Sequence, residues 1–124
     1  MKRRDHKLYV EDILQSMDRI ERYTRGQTFE RFRRSEMVAD AVIRNLEIIG
    51  EAARSIPQEV RQRHPDIPWT RMIGLRNIAI HEYFGVDLGI IWEIVRRNLP
   101  ETRSKIVALL EKPEKDSSPA KRGT

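Results

Sequence analysis

Apolar residues recur along most of this chain at intervals of three and four. Val10, Ile13, Leu14, Met17 and Ile20 form one such stripe between about Asp5 and Arg25, the period of a helix with one buried face. Gly26 supplies its stop. After Thr28, the segment FERFRRSEMVADAVIRNLEIIGEAARSI carries a longer helical pattern, with a possible irregularity at Arg34 to Ser35 where a fresh cap restarts the helix, and Pro57 ends it. PQEVRQRHP predicts a short helix with Pro57 in its first turn and Pro65 beyond its end. Pro68 resets the chain, and Trp69 to about Glu82 predicts another helix. Gly85 breaks it and Asp87 caps the next, whose stripe is Leu88, Ile91, Trp92, Val95 and Leu99. Pro100 is expected to open a last helix, with Ile106, Val107, Leu109 and Leu110 inward, fading at Pro113.

No strand alternation and no internal repeat interrupts this series, so the expected fold is all-α: four main helices and a short one in a single domain over residues 1–112. Residues 113–124 have no apolar content to bury and are expected to be a disordered basic tail. A length of 124 residues suits one core and is too short for two. Absence of cysteine excludes a disulfide framework, thiolate zinc sites and cysteine nucleophiles. The basic N-terminus runs into acidic residues rather than an apolar core, and no apolar run approaches a bilayer span, so a soluble, unsecreted, cytoplasmic protein is expected. The net charge of +5 favours a polyanionic partner, although part of the excess lies in KRRDHK and EKPEKDSSPAKRGT, which read equally as solvated tails.

Chemistry concentrates in RNIAIHEYF, residues 76–84. At about 100° per residue, Tyr83 falls about 20° from Arg76 around a helix, Asn77 about 100° and His81 about 140°. All four polar groups share one broad sector, with Asn77 and His81 one turn apart. Guanidinium binds phosphate bidentately and stays charged, while imidazole exchanges protons near neutral pH; RNA cleavage by its own 2′-hydroxyl needs these two tools and no metal. One chain offers a single such histidine, so separate acid and base require a second copy. The competing reading is a polar helix end, with Arg76 paired to an acid and Tyr83 packed.

His6 and His64 sit in the charged contexts RRDHKL and RQRHPD and read as ordinary solvated histidines, and no ligand spacing supports a metal site. Val38, Val42, Asn45, Ile49, Ala52 and Ile56 share a stripe, which puts Asn45 in an apolar face, where it either fixes packing or reaches into a site. Asp40, Arg44, Glu47, Glu51 and Arg54 form a polar stripe, read as a solvent-exposed ion-pair face. Gly50, costly inside a helix, predicts the close approach of another helix.

DAVIRNLEIIGEAA at 40–53, IPW at 67–69, RNIAIHEYF at 76–84 and IIWEIVRRNLP at 90–100, in that order, resemble a HepT-like protein of the HEPN superfamily, over about residues 5–112. The resemblance implies a four-to-five-helix up-and-down bundle that forms a symmetric homodimer. It also implies a metal-independent endoribonuclease toxin with no cofactor, whose signature arginine and histidine correspond to Arg76 and His81, with Asn77 as the polar residue after the arginine. The site then forms where two motif helices meet across a two-fold axis, one His81 acting as base and the other as acid. The family partner is a minimal nucleotidyltransferase, the MntA-like antitoxin, which transfers AMP to the motif tyrosine, here Tyr83, as in a type VII toxin–antitoxin pair. The same fold also serves as a non-catalytic nucleotide-binding or scaffolding subunit, and a plain helical interaction module is a third possibility. The RNA itself is not named by any motif.

Overall fold

The protein is described by a computed structural model covering residues 5–82 and 87–111, with side chains for all of these except 81 and 82. It is all-α, with no strand among the described residues. Helix α1 spans His6–Thr24, α2 Phe29–Arg34, α3 Glu36–Ser55, α4 Gln58–Arg63 and α5 Trp69–Glu82. Helix α6, Leu88–Glu93, runs through a π turn at Ile94–Asn98 into α7, Leu99–Glu111.

Local chemistry explains most of these boundaries. The Asp5 carboxylate accepts from Lys7 N–H at 3.0 Å and starts α1. Gly26, at φ 73°, turns the chain after it in a conformation that costs glycine little. Thr28 caps α2, and Ser35 both terminates α2 and caps α3 by accepting from Val38 N–H at 3.2 Å. The expected irregularity at Ser35 is thus a full break between two helices. Pro57 is the N-cap of α4 rather than a residue of its first turn. The Trp69 indole N–H donates to the His64 carbonyl at 3.0 Å and ties the loop before α5 to α4.

Pro100 does not open a new helix, as its type suggested; it lies inside the continuous run from α6 to α7. Proline has no N–H to donate and its ring collides with the carbonyl four residues back. The π turn just before Pro100 widens the helix, with Leu99 N–H donating to the Ile94 carbonyl, and so makes room for the ring. The stripe of α6 and the π turn holds as expected, with Ile91, Val95 and Leu99 buried. In α7, Ile106 and Leu109 are buried and Leu110 packs at the edge of the core.

Helix α3 is the centre of the bundle, packed along its length on α1 and α5. Its buried stripe of Val42, Leu46, Ile49, Ala53 and Ile56 meets Val10, Ile13, Met17 and Ile20 of α1 and Met72 and Leu75 of α5 in one core. Phe32 is fully buried and lies 5.1 Å from Trp92, centroid to centroid, so α2 is pinned under α6. Burying such a ring contributes about 1.5–3 kcal/mol. Helix α7 packs on α1, while α5 and α7 leave between them a cleft of about 420 Å³ lined in part by Leu75, Ile78, Ile94 and Leu99. Helix α5 is therefore seated chiefly by α3. The expected tail at 113–124 lies outside the described residues.

Candidate active site

Helices α3 and α5 approach closely at Gly50, and the residue against it is Arg76. A Cβ built on Gly50 would lie 2.7 Å from the Arg76 backbone nitrogen, 3.0 Å from Arg76 Cβ and 3.2 Å from the Ile73 carbonyl oxygen. No side chain larger than hydrogen fits there without moving α5, which is why a glycine stands in the interior of α3 despite its helix cost of about 1 kcal/mol. The close approach expected from Gly50 is present, and it sets the position of Arg76.

The next residue of α3 takes hold of the Arg76 side chain. Glu51 forms an ion pair with Arg76 Nε, bridging α3 and α5. That nitrogen is enclosed, and the carboxylate meets it as a charge contact rather than as an aligned hydrogen bond. Among the described residues no other ion pair or hydrogen bond reaches the Arg76 side chain. The side chains remain 42% and 48% exposed, so solvent screens the pair and it stabilises the fold by only about 0–1 kcal/mol. Its effect is on where the guanidinium sits. Arg44 and Glu47 pair within α3 at 3.2 Å, as the polar stripe predicted, but Glu51 leaves that stripe to serve α5.

Asn77 is exposed directly after Arg76, and Ile80, one turn on, is also 40% exposed. Ile80 borders a small hollow with Ala79, Ile43, Arg44 and Glu47, so the surface around Arg76 combines an arginine, an acid, an amide and apolar ground. His81 stands on α5 one turn beyond Asn77, with its side chain outside the described residues, as Tyr83 is altogether. Arg76, Asn77 and His81 therefore share one helix.

Asn45 does not join them. At about 100° per residue it lies about 140° around α3 from Gly50, away from the α5 crossing. It is buried at 5% exposure, its Nδ2 donates to the Ala41 carbonyl at 2.9 Å, and its Oδ1 is enclosed without a partner among the described residues. His6 departs from the expected solvated state: its side chain is 17% exposed, with Nδ1 3.7 Å from the Asp5 carboxylate. His64 ends α4 and lends its carbonyl to Trp69. No group of three or more His, Asp or Glu able to hold a metal occurs among the described residues. No helix there is long and apolar enough to cross a membrane.

A helical bundle that fixes an arginine at a helix crossing, with a histidine five residues on along the same helix, has the parts of a phosphate-handling site. Residues 13–109 match the family described as Ribonuclease HepT-like. The chain belongs to this HepT-like ribonuclease family. It is 43% identical over 107 residues to the protein named "Probable ribonuclease HepT" of Thermococcus cleftensis, covering 86% of this chain and 97% of that one. It is 42% identical over 106 residues to "Putative RNase MJ1380" of Methanocaldococcus jannaschii, covering 86% of this chain and 97% of that one. A longer relative from the same organism, named "Gamma-glutamylcyclotransferase and putative RNase MJ0434", is 41% identical over 116 residues, 94% of this chain, which spans 52% of that protein. No solved structure matches the chain.

Proposed function

We propose that this protein is a metal-independent endoribonuclease toxin that acts on RNA in the cytoplasm and is neutralised by an MntA-like nucleotidyltransferase antitoxin in a type VII-like pair. The observation that carries the reading is the half-exposed Arg76, seated by Gly50 on the helix that also bears His81. In this reading the 2′-hydroxyl attacks its own phosphorus, a neutral His81 takes the proton, and a protonated His81 returns one to the departing 5′-oxygen. Arg76 binds the phosphate and stabilises the charge gathering on its oxygens. Asn77 supports the same surface, and Asn45 supports it indirectly by fixing the packing of α3. Since one chain carries one His81, the active form is a homodimer in which two α5 helices meet and each supplies a histidine.

Cleavage of end-labelled RNA in the presence of a chelator tests this directly. The expected products carry 2′,3′-cyclic phosphate and 5′-hydroxyl ends, with a rate unchanged by the chelator. Cleavage that stops without a divalent cation and leaves 5′-phosphates defeats the proposal, and a well-folded protein that binds nucleotide but cleaves nothing is a scaffolding subunit instead.

Neutralisation acts through Tyr83. AMP units transferred there from ATP, with release of pyrophosphate, add phosphates two residues after His81 in the chain, and these compete with RNA for the Arg76 cation. Incubation with the antitoxin and ATP is expected to add mass in multiples of AMP to the peptide containing Tyr83, with loss of cleavage. Equal modification of a Tyr83→Phe protein would place the acceptor elsewhere.

A further inference from the structure

Consecutive residues of α3 control the two halves of Arg76: Gly50 admits its backbone, and Glu51 meets its side chain. We propose that Glu51 is a positioning residue for Arg76, holding the guanidinium by Nε on the α3–α5 surface so that its Nη edge engages a phosphate. The consequence for catalysis rests on the ribonuclease reading; the pairing itself does not.

Guanidinium geometry allows both contacts at once. It carries five N–H donors in a planar fork, of which the single Nε–H lies on the side nearest the stem and the four Nη–H donors lie beyond it. A carboxylate at Nε leaves the pair of Nη groups for two phosphate oxygens. A long arginine side chain otherwise samples many rotamers, and immobilising it when RNA arrives weakens the resulting contact. Glu51 narrows that freedom beforehand. The carboxylate also offsets part of the guanidinium charge, which reduces attraction for the singly charged phosphodiester of bound RNA. Fixed geometry matters more as negative charge accumulates on the phosphorane, where preorganised donors act. Competition by Glu51 for the phosphate is the opposite arrangement, and it changes kinetics in the opposite direction.

Two measurements on the full-length protein decide the matter. The first is the Arg76 Nε–H resonance in 15N NMR spectra, assigned by its disappearance in Arg76→Lys. It is expected to be shifted and slow to exchange with water in the parent, and to move towards the free-arginine position in Glu51→Gln. An Nε–H resonance indifferent to Glu51→Gln overturns the proposal whether or not the protein cleaves RNA, whereas a parent that shows the pairing and cleaves nothing overturns the ribonuclease reading alone. The second is single-turnover cleavage. Glu51→Gln is expected to lower the rate of the bound complex by roughly 10- to 100-fold, the cost of a displaced catalytic group, while RNA affinity is unchanged or tighter. Glu51→Asp, which keeps the charge, is expected to recover part of the rate. A Glu51→Gln protein that cleaves within twofold of the parent, cleaves faster, or loses affinity in step with rate refutes the positioning role.

Discussion

His81→Ala is expected to lower RNA cleavage by at least about 10²-fold, and by as much as about 10⁴-fold, the range that a positioned acid or base contributes. The loss should appear chiefly in the rate of the bound complex rather than in RNA affinity, because proton transfer by His81 acts in the transition state. Arg76→Ala should differ in kind: it removes the cation that contacts phosphate both before and during reaction, so affinity and rate fall together. Mixed dimers sharpen the test. If one histidine serves as base and its symmetry mate as acid, a dimer with a single His81→Ala subunit is as impaired as one with two. Half of the parent activity in such dimers would instead mean that each chain holds a complete site. Circular dichroism of each variant checks that the bundle is intact, and a His81→Ala protein cleaving at the parent rate would remove this residue from the chemistry.

The second large effect is expected at Gly50. In Gly50→Ala the new methyl group would lie 2.7 Å from a backbone nitrogen, so it is α5 itself that has to move. Alanine gains about 1 kcal/mol of helix propensity over glycine, but overpacking against backbone costs about 1–3 kcal/mol, leaving a net loss of up to about 2 kcal/mol. More telling is the site, because a shift approaching 1 Å at Arg76 is enough to reduce cleavage by as much as about 10²-fold. Gly74 is the control, since a Cβ there meets nothing within 4 Å. Gly74→Ala is expected to raise stability by about 0.5–1 kcal/mol with cleavage retained. Urea unfolding and RNA cleavage measured on both variants compare the two glycines, and a Gly50→Ala protein as stable and active as Gly74→Ala would show that the crossing does not constrain the site.

The helices were legible in the chain because their signals are local. The stripe from Val10 to Ile20, the Ser35 cap, Gly26 and Asp87 each act within a turn or two of themselves, and the structure places them as those signals require. Gly50 was informative for the same reason: glycine in the middle of a helix has a cost that some neighbour must offset. Pro100 was misleading because its local rule has two solutions. A helix can begin at proline, or it can widen around it, and the packing of Ile91, Val95 and Leu99 on one continuous face favours the second.

Arg76 and His81 stood out as candidates from their order along the chain and from the family likeness; an acid paired to Arg76 belonged to the competing reading of a polar helix end, and which acid it is could not be read from the chain. Glu51 belongs by spacing to the polar stripe of α3, with Asp40, Arg44 and Glu47 at helical intervals, and nothing within its own helix separates it from them. Arg44 and Glu47 obey that local order and pair with each other, but Glu51 lies beside the point where α5 crosses, 25 residues away along the chain from the arginine it meets. Periodicity states which face of a helix is polar, since that follows from 3.6 residues per turn. Which other helix passes over that face depends on how every apolar stripe in the bundle is buried at once.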